Sequence, residues 1–171
     1  RLRQAADQRA GRHDLPDDRR QGRGRAADGA PRVPGDLQLR ARVRVEVEWL
    51  LCLSARADLP EVPSLDERQQ GTIRTIADHF DATAAARVKA IEARTRHDVK
   101  AVEYYLGEQL SAQGLGAFVP FLHVCLTSED VNNLAYALMM RDGVRGPWRS
   151  RADALVDAAV RMADATRALP M

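Results

Sequence analysis

Residues 127–133, Thr-Ser-Glu-Asp-Val-Asn-Asn, put two hydroxyls, two carboxylates and two amides directly ahead of an apolar, helix-like run. Such a cluster can do two things. Thr127 or Ser128 can accept from the free N–H groups of a helix start, Thr127 and Asp130 have capping-box spacing, and Glu129 and Asp130 suit the positive end of the dipole. The same N–H groups and hydroxyls also make a binding site for a phosphate or carboxylate. Spacing alone favours the cap, yet Asn132 and Asn133 are poor helix formers so close to it and are left over by that reading.

A second cluster, His97-Asp98, lies in the polar stretch "TRHD", which interrupts an otherwise apolar stripe between Ile91 and Val99. A His beside an Asp is commonly an exposed pair or a satisfied histidine, and the interruption is what points to chemistry. His123, inside "PFLHVCL", reads as a core histidine. Cys52 and Cys125 have no metal-ligand spacing and read as two buried thiols in a reducing compartment, so no metal is expected.

These groups must be carried by helices. In "RARVRVEVEWLLCLSAR" the alternation of Val43, Val45 and Val47 with charges suggests a strand. A helix accounts for more of it. Val43, Val47 and Leu50 then share one face and Val45, Trp49, Cys52 and Leu53 the other, with Arg42/Glu46 and Arg44/Glu48 at ion-pair spacing. Ser64 and Glu67 have capping-box spacing and open a predicted helix through about His79. Residues 82–110 repeat Val88, Ile91, Val99, Val102 and Leu106 at helical spacing, and "SAQGLG" closes them. After "TSED", Leu134, Leu138 and Met139 are the expected core face. "RDGVRGP" reads as a break, and Pro147 is placed to start a last helix. The fold class is all-α.

The chain has 171 residues and a net charge of +2. Its basic excess sits mostly in residues 1–39, which are rich in Arg, Gly, Pro and Asp, carry few long apolar side chains and are expected to be disordered. Nothing downstream resembles a nucleic-acid face. No apolar stretch approaches the ~20 residues that span a bilayer, so neither nucleic acid nor membrane is an expected partner and the cytoplasm is the expected location.

"RVKAIEARTRHDVKAVEYYL" together with "FLHVCLTSEDVNNLAYALM" resembles the adenylosuccinate lyases of the fumarase/aspartase superfamily, and "RVRVEVEWLLCL" is similar to that family's early helix. The resemblance covers about residues 40–171. It implies a helical N-terminal lyase domain at 40–146, the start of a central helix bundle at 147–171, assembly as a homotetramer, and no cofactor. The implied substrate is an adenylosuccinate-type nucleotide, from which the family eliminates fumarate, as it does from the succinylaminoimidazole carboxamide ribotide earlier in purine synthesis. The family's substrate contacts carry over to Arg96, His97, Asp98, Thr127 and Ser128, although many members have Asn where Arg96 stands.

β-Elimination needs a base for the carbon-bound proton and an acid for the departing nitrogen. The family supplies them from a Thr-His-x-Gln motif and a Ser-Ser-x-Met-Pro-x-Lys-x-Asn loop, and neither occurs in this sequence. The chain therefore reads as an N-terminal fragment with no catalytic residue of its own, inactive alone. Residues 1–39 also lack the family's Asp-Gly-Arg-Tyr opening. A one-nucleotide shift over "VPGDLQ" permits a family-like run, so an out-of-frame origin is expected for them. Two alternatives remain: another fumarate-releasing lyase, such as one acting on argininosuccinate, and a non-catalytic helical interaction module.

Overall fold

The computed structural model describes residues 34–169, and the expected disorder of the first 33 residues lies outside them. Among the described residues there is no strand. The helices are α1 (Pro34–Ser54), α2 (Glu67–Asp78), α3 (Ala82–Thr95), α4 (Asp98–Ala112), α5 (Ser128–Gly143) and α6 (Arg149–Thr166). A 3₁₀ turn, Gly116–Phe121, precedes α5, and a π-helical turn, Val144–Trp148, joins α5 to α6. Among the described residues no helix is long and apolar enough to cross a membrane.

α1 is central, and its composition explains why. Val43, Val47, Leu50 and Leu51 join the main core formed with α2, α3 and α4, while Ala41 and Val45 join a second cluster with Val99, Val131 and Ala135. A helix apolar on two sides is stable only when both are covered, and the alternating valines supply those two sides. Solvent reaches only a narrow stripe through Arg44, Glu48 and Cys52. Cys52 is therefore exposed, as is Cys125 in the turn before α5, contrary to the expected pair of buried thiols. Helix formation begins at Pro34, so residues 34–39, expected to be disordered, are the first turns of α1.

Other boundaries also differ. The cap of α2 is Asp66, whose carboxylate accepts from Gln69 N–H at 2.7 Å while the Gln69 side chain accepts from Asp66 N–H at 3.0 Å. Starting the helix two residues after the expected Ser64 cap leaves Leu65 free to enter the core. The expected break at "RDGVRGP" is instead a π-helical turn. It widens the helix around Pro147, whose missing N–H and bulky ring a regular α-turn would not accommodate. On α5 the core face is Val131, Ala135, Leu138 and Met139, at i, i+4, i+7 and i+8, and Leu134 points to solvent. α6 buries no residue: Leu155, Val156, Val160 and Met162 are all exposed.

Candidate functional site

The apolar stripe from Ala82 breaks where "TRHD" interrupts it. Arg96 caps α3 in the left-handed conformation, φ 53°, with its N–H on the Glu92 carbonyl at 2.7 Å. That conformation ends a helix sharply but is costly for a residue with a Cβ, and glycine or asparagine is usual there. His97 then caps α4: its Nδ1 accepts from Lys100 N–H at 3.2 Å. With Nδ1 accepting, the neutral ring carries its proton on Nε2, and the side chain is 53% exposed. A ring held this way presents a donor outward.

Asp98 follows as the first residue of α4. Its Oδ1 accepts from Val99 N–H at 2.9 Å and lies 3.8 Å from His97 Nδ1, so the two side chains are not a hydrogen-bonded dyad. Its Oδ2 is instead 2.6 Å from Arg42 Nη2 on α1. Partial burial pushes the Asp98 carboxyl up, but the Val99 N–H and the Arg42 guanidinium outweigh it and hold the group below the usual aspartate range.

On α5, Thr127 forms the full capping box. Asp130 N–H donates to Thr127 Oγ1 at 3.3 Å, and Asp130 Oδ2 accepts from Thr127 N–H at 2.7 Å and from its hydroxyl at 2.8 Å. Those bonds keep the Asp130 carboxyl below its ordinary value. The Thr127 hydroxyl is thereby committed to the cap. Among the described residues Ser128 Oγ makes no hydrogen bond. Ser128 is the hydroxyl available to a ligand, beside the unbonded first N–H groups of the helix.

Arg42 brings the two motifs together. Its Nε donates to Asn132 Oδ1 at 3.0 Å while its Nη2 holds Asp98, so one guanidinium from α1 ties the first turn of α4 to the start of the second turn of α5. Val99 and Val131 meet in the same small cluster beneath it. Asn132, surplus to the cap, is the acceptor that Arg42 requires. The expected Arg42/Glu46 pair within α1 is not formed, because Glu46 also has a partner across the fold: its Oε1 lies 2.6 Å from His123 Nδ1. Glu48 faces Arg74 of α2 at 3.7 Å rather than Arg44.

Glu46 is completely buried, and its Oε2 has no hydrogen-bond partner. Burial raises its carboxyl above the ordinary value, and the His123 bond offsets only part of that. With the Trp49 Nε1 bond to the Val124 carbonyl at 2.8 Å, this contact fixes the turn that delivers Thr127. His123 and Cys125 in that turn are both left-handed, at φ 60° and 59°. His123 is thus a partly buried residue paired with the buried Glu46, not the core histidine expected.

Arg42 and Glu46 are the residues that sequence reasoning missed. The available signal was two charges, one helical turn apart, each flanked by apolar residues that prove to be core: Ala41 and Val43 beside Arg42, Val45 and Val47 beside Glu46.

No family model matches the chain. Over 131 residues, 74% of the chain, it is 45% identical to adenylosuccinate lyase of Escherichia coli K12. It is 40% identical over 138 residues, 78% of the chain, to the enzyme of that name from Haemophilus influenzae. With the one from Legionella pneumophila strain Corby the identity is 41% over 104 residues, 60% of the chain. The chain belongs to the adenylosuccinate lyase family. It spans 29% of the length of the E. coli and H. influenzae lyases and 23% of the Legionella one. The all-α architecture is that of a piece of the lyase fold.

Proposed function

We propose that this chain carries one half of the substrate site of an adenylosuccinate lyase. Ser128 Oγ, the first N–H groups of α5, the outward Nε2–H of His97 and the Arg96 guanidinium bind the phosphate and carboxylates of adenylosuccinate or of the succinylaminoimidazole carboxamide ribotide. Asp98 and Thr127 hold those groups in place. The base that removes the carbon-bound proton and the acid that protonates the leaving nitrogen come from the remaining length of the lyase, so the chain alone releases no fumarate. Assembly as a homotetramer and a cytoplasmic location belong to the same reading. So does a small nucleotide, rather than nucleic acid or membrane, as ligand.

The observation that carries it is the Arg42 bridge. Asp98 and Asn132, one in each of the sequence blocks that carry the resemblance, are far apart in the chain, yet they meet at one guanidinium, with bonds of 2.6 and 3.0 Å. Helix N-termini brought together with exposed donors suit a polyanionic ligand. The exposed apolar side chains of α6 favour the interaction-module alternative, and in the lyase reading the same face belongs to the central bundle.

The test is fumarate release, followed by absorbance, from the 171-residue chain and from E. coli adenylosuccinate lyase whose matched 131 residues are replaced by those of this chain. None is expected from the first. From the second, release from adenylosuccinate but not from argininosuccinate is expected. A folded, tetrameric hybrid without activity would refute the lyase reading, and activity of the short chain would refute the division of the site.

A further inference from the structure

Arg42 is only 5% exposed, and nothing in the packing of α1 calls for a cation there. Removing a guanidinium from water is costly, and an apolar side chain of similar volume is commonly as stable or more so. Its two bonds run in different directions, Nε to Asn132 and Nη2 to Asp98, and only the planar fork of arginine supplies both at once. The acceptor on α5 is also unfavourable locally, an asparagine within a helix's first turns. Two local penalties, a buried charge and a weak helix former, converge on a single contact. What that contact accomplishes is geometric.

We infer that Arg42 is a positioning residue that sets the spacing of the α4 and α5 N-termini, so that the donors on the two ends meet one anionic ligand as a unit. The inference rests on the lyase reading for the identity of the ligand, but not for the coupling of the two helix ends. Asp98, His97 and the Lys100 N–H move with α4; Asn132, Ser128 and the Thr127 cap move with α5. The guanidinium prevents the two sets from separating. Lysine at 42 keeps the charge but lacks the fork, so its one ammonium is shared between Asp98 and Asn132 and each helix end is loosened without emptying the site.

The experiment is amide hydrogen exchange on the 171-residue chain, comparing the wild type with Arg42→Lys and Asn132→Ala, together with titration of adenylosuccinate. In Arg42→Lys, the cap amides of both ends, Lys100 and Ala101 on α4 and Asp130 and Val131 on α5, are expected to exchange at least about ten-fold faster. The amides of Val47, Leu50 and Leu106 change less than about five-fold, because they open only with the whole molecule. Asn132→Ala accelerates the α5 amides alone. Affinity for adenylosuccinate falls about ten-fold in Arg42→Lys. Equal acceleration everywhere, or acceleration at one end only in Arg42→Lys, would overturn the inference. A wild-type chain that keeps the coupled exchange pattern but does not bind adenylosuccinate would refute the ligand assignment and leave the coupling established.

Discussion

Arg96 offers a substitution whose sign is set by backbone geometry. It sits at φ 53°, where a side chain with a Cβ costs about 1–2 kcal/mol relative to the right-handed region. The side chain is exposed and makes no hydrogen bond among the described residues. Arg96→Gly therefore removes that cost and loses no packing. Glycine's freer unfolded chain returns about 0.5–1 kcal/mol, leaving a net gain of about 0.5–1 kcal/mol. Arg96→Asn is expected to gain a smaller amount because asparagine tolerates this conformation.

Two residues earlier, Arg94 lies inside α3 in ordinary helical geometry, so Arg94→Gly is expected to cost about 1 kcal/mol. The same chemical change, two residues apart, should thus have opposite signs. Urea unfolding measures both: with a slope of about 2 kcal/mol per molar, the midpoints should separate by about 0.8–1 M. A loss of stability in Arg96→Gly, or equal effects at the two positions, would refute the strain account. In the hybrid lyase the same Arg96→Gly change should lower substrate affinity, since the guanidinium proposed to contact substrate is gone while the fold is firmer. Stability and binding would then move in opposite directions.

Glu46 should give the fold a measurable pH dependence. Its carboxyl is raised in the fold, so its contribution is full below the ordinary value of 4.5 and is lost as pH rises through the raised one. His123 faces it across the 2.6 Å contact, with Glu103 and Lys100 of α4 nearby. Unfolding free energies of wild type and Glu46→Gln across pH 4–8 should diverge upward in favour of glutamine, by about 1.4 kcal/mol for each unit of the shift. Asp98, held low, has the opposite slope in both proteins and cancels in the difference. Parallel profiles would show that the buried carboxyl is not perturbed. Separately, deleting residues 149–171 should leave the unfolding free energy within about 0.5 kcal/mol of the intact chain, because α6 buries no side chain. Self-association measured by sedimentation should fall at the same time, since Leu155, Val156, Val160 and Met162 leave with it. A large destabilisation would mean that α6 packs on the rest of the domain.

Local signals in the sequence were read correctly where one side chain acts on its own backbone. The Thr127–Asp130 box is of this kind, since both partners lie within one turn and no distant residue is needed to form it. The helical reading of "VRVEVEWLL" also held, because continuous apolar faces on two sides fit a helix sandwiched between clusters. The Ser64 cap and the Leu134 face were each displaced by burial elsewhere. Leu65 gains more in the core than in a helix turn, and the α5 face is chosen by what α1 presents, through Ala41 and Val45. Cys52 illustrates the same limit: an apolar neighbourhood in sequence does not reveal a one-residue-wide solvent stripe.

The sequence by itself determined the all-α class, the cap at Thr127, the interruption at "TRHD" and, through those two blocks together, the family. Each depends on residue type at short spacing or on a string specific enough to be recognised whole. The tertiary structure decided the partners of charge. Arg42 and Glu46 look like a routine i,i+4 pair, but burial deprives them of water, and a buried charge takes the partner that satisfies the most of its hydrogen-bonding groups. For Arg42 that is Asp98 with Asn132, and for Glu46 it is His123. Those long-range choices tie two separate helix caps together through one buried side chain.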